Sequence, residues 1–507
     1  MLPVSLMLQP TPALAFDTGH HVDLTRAALS RVGFKDPAIK VVQFENWLVD
    51  YYAGNPNKYT SVERKIIEER AVKLHFDNLF NTGEVWDYWI RLTANTRDAV
   101  QQTAREVAKS SDRNQGVLKF LTLMGASLHA VQDFYTHSNW VETHPKTAGD
   151  TFRTETWFSS SVVGLPNIFT GAYPASSLDL PAYHGDYLKG LNKDSYIRPR
   201  WDEAYVFAYV ASCEWVSAIH SWVEAITSQT QVDLWKLAQE YKPPCGSEED
   251  LEKDLDAART LSLYLPLDGQ DGHWKGNHSG SGFRFRKAYI NWAPLGQSLF
   301  VRQMLDLMIP VNLLTPGLYV KNVPLPTNPP SIPKLSLDES AVIIRTLEVG
   351  EEDKRSAFVG QPDFFAKIFV EDVEFLEAVQ RTGRSIAPPW KTIYFAQNDP
   401  TGKKEINITY KLYDENGVDL KNTGFGNGPR VDDGTLHDLN PKDGEKGLLF
   451  RFNISNHICT GLDSTPMKHD SEASAFTVVW GEDSGKSDGD RASVKFYVST
   501  ARLALRQ

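Results

Sequence analysis

Three side chains, His129, Asp133 and His137, recur every fourth residue inside the apolar stretch LMGASLHAVQDFYTHSNWVE. A stretch this long and this apolar predicts a helix. Four residues advance a helix by about one turn, so the three side chains share one stripe along it. Leu121, Leu123, Met124, Leu128, Val131 and Phe134 leave the helix little polar surface, so the stripe faces inward. Two imidazoles and a carboxylate together make a nitrogen and oxygen donor set suited to zinc. The competing reading is a hydrogen-bonded polar cluster within a core.

The rest of the first half supplies more donors of the same kind. FDTGHHVDLTRAAL carries His20 and His21 just before an apolar-periodic helix; ENWLVDYY ends an apolar turn with Asp50. KLHFDN offers His75 and Asp77, and YHGDYLKGLNKDS offers His184, Asp186 and Asp194. Seven of the thirteen histidines precede residue 185, which favours a multi-metal pocket in a helical bundle over scattered surface residues. Blander roles fit several of them. His20 reads as a first-turn neighbour of His21, His144 as an exposed loop residue and His220 as a satisfied core residue. His273 and His278 fall in a Gly-rich loop, and Asp77 equally suits an orienting role behind a ligand histidine. Asp194 could instead cap the turn that follows it.

The order of these segments resembles the zinc-dependent phospholipase C superfamily, which also holds the single-strand-specific nucleases. SLHAVQDFYTHSNWVE is most similar to the Het-C-like (heterokaryon-incompatibility) branch, and the resemblance covers roughly residues 16 to 225. It implies an all-helical domain holding two to three zinc ions at one end, with the mature amino-terminal aromatic as a ligand. Phe16 follows PALA, a small-residue cleavage site, and His21 would then be the sixth mature residue. Matched residue by residue, the resemblance implies Phe16, His21, Asp50, His75, His129, Asp133 and His137 as metal ligands. Asp50 corresponds to the bridging carboxylate that could also take a proton from water. The superfamily's last pair, a His and an acid on a following helix, has no clean copy here. His184 is the candidate, with Asp194 or Asp202 beside it.

At 507 residues the chain is long enough for two or three domains. Its net charge of −11 argues against indiscriminate nucleic-acid binding by electrostatics. No run of eighteen or more apolar residues predicts a spanning helix. Residues 1–15, MLPVSLMLQPTPALA, resemble the end of a secretory signal, which predicts a secreted or extracytoplasmic protein. Of three cysteines, Cys213 and Cys245 could pair if helices juxtapose them, while Cys459 stands far off in sequence.

Residues 16–321 read as mainly helical, with helices over 24–32, 60–75, 94–109, 115–135, 202–226, 230–242, 248–264 and 295–309. The stretch 138–200 reads as irregular. Its Trp157, Phe158, Ile168, Phe169 and Tyr173 either face lipid or simply cover the helices. NVPLPTNPPSIPK, residues 322–334, is a Pro-rich linker. Beyond it, strand-like runs such as SAVIIRTLEV, FFAKIFVED, EINITYKLYDE and ASVKFYVSTARL predict an antiparallel β-sandwich over 335–507. QPDFFAKIFV, PPWKTIYF and ITYKLYDENGVD resemble calcium-dependent lipid-binding sandwich domains of the type first described in protein kinase C. That resemblance implies calcium on Asp353, Asp363, Asp414, Asn416 and Asp419; the alternative is that these are turn-forming residues in loops. Clostridial toxins of the zinc superfamily share this layout of helical enzyme then lipid-binding sandwich.

The sequence therefore predicts a multidomain α and β chain, an all-α zinc phospholipase C-like domain followed by a sandwich. The expected function is a secreted zinc-dependent hydrolase, most simply a phospholipase C acting at a phospholipid membrane surface. A single-strand nuclease of the same superfamily is the enzymatic alternative. A non-catalytic Het-C-like toxin or recognition protein with structural zinc is the other. Oligomeric state is not legible in the sequence.

Overall fold

A computed structural model describes residues 18–54, 74–144, 151–158, 167–171, 191–194, 198–243, 332, 335–351, 363–381, 385–398, 405–415, 434–436, 439, 447–461, 469–471, 474–480 and 491–505. Among them the amino-terminal part is helical and the carboxy-terminal part is built of sheets. The helices expected over 248–264 and 295–309, most of that over 60–75, and all but Ile332 of the linker lie outside the described residues.

The helices are α1 (Thr18–Arg31), α2 (Asp36–Gly54), α3 (Thr82–Lys109), α4 (Asn114–His137), α5 (Trp140–Thr143), α6 (Trp201–Thr230) and α7 (Leu234–Gln239). α3 begins well before its expected start at 94, because Asn81 caps it. The Asn81 side chain accepts from Glu84 N at 3.0 Å, and Glu84 reaches back to Phe80 N at 2.8 Å. Such reciprocal capping is worth about 1 kcal/mol. α4 is the axis of the helical part. Every residue from Phe120 to His137 is buried, as expected of a helix surrounded by protein on all sides. It packs against α2, α3 and α6. α2 comes tightly against it at Gly125, where an added Cβ would lie 2.6 Å from Val42 O and 2.9 Å from Asn46 N. Glycine is what lets α2 lie against α4 one turn before His129.

Two sheets form the other part. In the seven-stranded sheet β11 (His469–Ser471), β12 (Ser474–Trp480), β13 (Ala492–Leu505) and β2 (Glu339–Glu351) run in order. β2 also pairs with β5 (Ser385–Ile386) and β6 (Lys391–Gln397). The six-stranded sheet has the order β10 (Cys459–Gly461), β9 (Leu448–Asn453), β7 (Glu405–Glu415), β3 (Asp363–Val370), β4 (Val373–Arg381), with β8 (Gly434–Leu436) on β7. The sheets meet through Phe496, whose ring lies 5.1 Å from Phe450 and 6.2 Å from Tyr410, and through the Tyr410 and Thr346 hydroxyls, 2.9 Å apart.

One pairing departs from the expected antiparallel pattern. β1 (Thr151–Thr154), from within the stretch read as irregular, joins β13 in parallel, with Thr151 opposite Arg502 and Thr154 opposite Leu505. The helical part also touches the sheets through Glu339. Its carboxylate accepts from Arg31 Nε at 2.6 Å and from the Tyr209 hydroxyl at 2.5 Å, while the Tyr209 ring stacks on Phe395 at 3.6 Å.

Trp157, Ile168 and Phe169 are buried, and Phe158 packs partly buried against the core. Those aromatic and aliphatic residues cover the helices and do not face lipid; Tyr173 lies outside the described residues. No helix of the described residues is long and apolar enough to cross a membrane. Cys213 is a free thiol, so the pairing considered for it does not form; Cys245 is outside the described residues.

Candidate metal centre

His21 projects from α1, and His129 and Asp133 from α4; all three are fully buried. His75 comes from the segment before α3. There Phe76 and Asn78 both have left-handed backbones, with φ of 56° and 60°. A left-handed non-glycine residue costs roughly 1–2 kcal/mol. The Phe76 ring offsets that cost by packing within 4.7 Å of Tyr88 and Trp89. The double reversal brings both His75 and Asp77 against α4.

The donor atoms converge. Asp133 Oδ1 is 3.1 Å from His21 Nε2, and Asp133 Oδ2 is 3.0 Å from His129 Nε2 and 2.8 Å from His75 Nδ1. His129 Nε2 and His75 Nδ1 are themselves 3.0 Å apart. The donor atoms of His21, His129 and Asp133 all lie within 4.8 Å of one another, near enough to share one ion.

Two amides decide which nitrogens carry protons. Asn46 Nδ2 donates to Thr25 Oγ1 at 2.9 Å and to Gln132 Oε1 at 3.0 Å. Its Oδ1 is therefore the acceptor for His129 Nδ1–H, at 3.0 Å. Gln132 Nε2 points to Ser212 Oγ at 3.2 Å, so Gln132 Oε1 accepts His21 Nδ1–H at 2.7 Å. Both histidines, when neutral, thus turn an Nε2 lone pair toward Asp133. Burial drives the His129 imidazole down to about 3, so it is neutral at ordinary pH. For Asp133 burial acts the other way, but His129 and His21 outweigh it and hold the carboxyl well below its usual range. A cation among these donors would supply the counter-charge that the ionised Asp133 carboxylate needs in a dry interior.

His137 lies one turn further along α4. Its Nδ1 donates to His75 O at 2.8 Å and is 3.2 Å from Asp77 Oδ1; its Nε2 is 3.0 Å from Asp194 Oδ1. Burial opposes its charge, but Asp77 and Asp194 overcome that and hold the imidazole well above its ordinary value. His75 links the two groups, with its ring on Asp133 and its carbonyl on His137.

Of the expected ligands, the structure thus brings together His21, His75, His129 and Asp133, and sets His137 and Asp194 beside them. Asp50 lies on α2 one turn beyond Asn46, with its side chain outside the described residues; Phe16 and His184 are outside them altogether. Asp202 faces Lys391 Nζ at 3.3 Å. The His20 ring packs tilted against Trp201 at 4.8 Å, and His144 is half-buried, stacked on Trp140 at 4.0 Å, instead of exposed in a loop. His220, read as a core residue, is exposed and stacks on Trp235 at 4.5 Å. His273 and His278 are outside the described residues. Sequence reasoning missed Asn46, Gln132, Thr25 and Ser212. The only signals were Asn46 four residues before Asp50, and Gln132 next to Asp133 inside an apolar helix.

In the sheets, Phe364 of β3 is opposite Asp414 of β7, so Asp363 and Asp414 sit at one end of neighbouring strands. Asp414 is buried; the Asp363 side chain and all of Asp353, Asn416 and Asp419 lie outside the described residues.

The family described as "VWA7 N-terminal domain" matches residues 66–153, a span that contains His75, Asp77, His129, Asp133 and His137. No curated protein matches the chain. Among solved structures, a C2 domain of plant Extended Synaptotagmin 1 is 11% identical and covers 32% of this chain and 96% of its own, with a TM-score of 0.20. Human GIVD cytosolic phospholipase A2 is 9% identical over 32% of this chain and 18% of its own, with a TM-score of 0.19. Alpha toxin from Clostridium absonum is 12% identical over 78% and 92%, with a TM-score of 0.14.

Proposed function

We propose that this protein is a zinc-dependent hydrolase of the phosphodiesterase type, most simply a phospholipase C, whose sheet part docks it on a phospholipid surface. One observation carries the reading: His21 and His129, their tautomers set by Gln132 and Asn46, turn Nε2 toward the buried Asp133 carboxylate. His21, His129 and Asp133 form a group of donors that fits a metal ion, and His75 Nδ1, 2.8 Å from Asp133 Oδ2, is the candidate fourth donor. His21, His75, His129 and Asp133 would hold one ion; His137 and Asp194, with Phe16, Asp50 and His184, are the candidates for further ions. A zinc ion held there would supply a Lewis acid for a phosphoryl oxygen and would lower the pKa of a bound water. Asp133 supplies the anionic charge that anchors it, and Asn46 and Gln132 hold the rings. Asp50 is our candidate for the base. Calcium at the strand end carrying Asp363 and Asp414 would link the sheets to anionic headgroups. The signal-like residues 1–15 support action outside the cytoplasm.

The full burial of His21, His129 and Asp133 favours a second reading, a structural zinc centre in a recognition or toxin protein. Metal content by mass spectrometry tests both. Headgroup release from phosphatidylcholine vesicles, set against cleavage of single-stranded DNA, with chelator and with zinc restored, separates them. Zinc without either activity leaves the structural reading, and protein purified without zinc that takes none up removes both.

A further inference from the structure

β13 is longer than its neighbours need. β2 covers it from Ala492 to Arg502, and β12 covers Ser493 to Phe496. Leu503, Ala504 and Leu505 pair with β1 and with no other described strand. β1 is thus a short strand from the helical part that finishes the sheet where β12 has run out. Phe152 and Leu503, opposite one another in this ladder, are both buried.

The residues that follow β1 are bonded to the metal-bearing helix and its surroundings. Glu155 O accepts from Trp140 Nε1 at 2.8 Å. Thr156 Oγ1 donates to the buried Glu214 at 2.5 Å, on α6. Trp157 N donates to the Tyr135 hydroxyl at 3.1 Å, and its ring lies 5.7 Å from Phe134 and from Trp140. Phe134 and Tyr135 stand between Asp133 and His137 on the last turns of α4. The sheet, the strand and the end of α4 therefore form one continuous set of hydrogen bonds and ring contacts.

We propose that the pairing of β1 with Leu503–Leu505 is a positioning device: it holds the last turns of α4, and through them the spacing of Asp133 and His137 in the metal centre. The second clause rests on the metal reading above; the first stands without it. The device makes the sheet part a support of the centre as well as a docking surface. Its disruption loosens donors that lie on another element and are themselves untouched by the change.

The test uses full-length protein. Ala504→Pro breaks the ladder where, among the described strands, β1 alone pairs, and Ser385→Pro breaks a ladder at the far end of β2, opposite Gly350. Tyr135→Phe leaves the ladder intact and removes the hydroxyl that Trp157 N reaches, so it carries the test if Ala504→Pro fails to fold. Two readouts are taken: zinc loss to a chelator, and amide exchange of residues 133–140. Ala504→Pro is expected to speed zinc loss roughly tenfold, in the range of changes to groups that orient ligands, and to expose those amides. Tyr135→Phe shifts both in the same direction, and Ser385→Pro matches the unaltered protein. Protection and zinc retention in Ala504→Pro and Tyr135→Phe equal to those of Ser385→Pro overturn the proposal. If the unaltered protein takes up no zinc, the metal reading fails by itself, and amide exchange alone decides whether β1 holds α4.

Discussion

The Asn46 side-chain oxygen accepts the His129 Nδ1–H at 3.0 Å, across the point where α2 meets α4. That bond decides which nitrogen His129 presents to Asp133. Asn46→Ala should therefore keep every donor yet weaken zinc binding by roughly 10–100-fold, the usual cost of losing a partner that orients a ligand. Competition with a fluorescent chelator measures it. Unchanged affinity in Asn46→Ala would mean that the ring is held by packing alone.

Gly125 sets how closely the same two helices approach. A methyl group there would sit 2.6 Å from Val42 O and 2.8 Å from Glu45 Cβ. α2 must move away or α4 must bend, and overpacking of this kind costs about 1–3 kcal/mol. Gly125→Ala should lower the urea midpoint and, by moving Asn46, also weaken zinc binding. A variant destabilised but with native zinc affinity would place the strain elsewhere than at Asn46.

The stripe on α4 was legible because residues four apart share a face whatever surrounds them, and the apolar residues between them showed which way it faces. His21 and His75 could be nominated, but their meeting depends on tertiary geometry. For His75 it depends on left-handed backbones at Phe76 and Asn78, which nothing about a phenylalanine announces. Asn46 and Gln132 escaped notice because a buried amide looks, in sequence, like any polar residue on a helix. β1 escaped because TFRT is a very short run and its partner lies at Arg502–Leu505. β4 was hidden by Glu377, an acid buried in the middle of a strand, which spoils the alternation that marks one.

That buried acid gives a pH dependence. Burial raises the Glu377 carboxyl from 4.5 to about 7, against the opposing hydrogen bond from Thr392. Glu214 rises likewise to about 7 and Glu45 to about 8, each through burial. A folded-state value above the unfolded one means the folded chain holds its proton more tightly. The stabilisation is then complete below the unfolded value of 4.5 and is lost as pH rises through the folded values. For Glu377 alone the loss is about 3 kcal/mol at most. Glu377→Gln should flatten that part of the slope, measured as urea unfolding at about pH 5 and about pH 8. A slope equal to that of the unaltered protein would show that Glu377 ionises freely in the fold.

Removing the metal should cost stability as well as occupancy. The folded chain assembles His21, His75, His129 and Asp133 from three separate segments, whereas an unfolded chain presents them far apart. A ligand that binds only the folded state stabilises it by about 4 kcal/mol at a thousand times its dissociation constant. Chelation should therefore lower the melting temperature, and zinc should restore it. In Asp133→Ala, which lacks the carboxylate that all three imidazoles face, chelator and zinc should both leave the melting temperature where it is. A chelator effect of full size in Asp133→Ala would place the metal away from this residue, and the grouping of imidazoles around it would then be a polar core cluster.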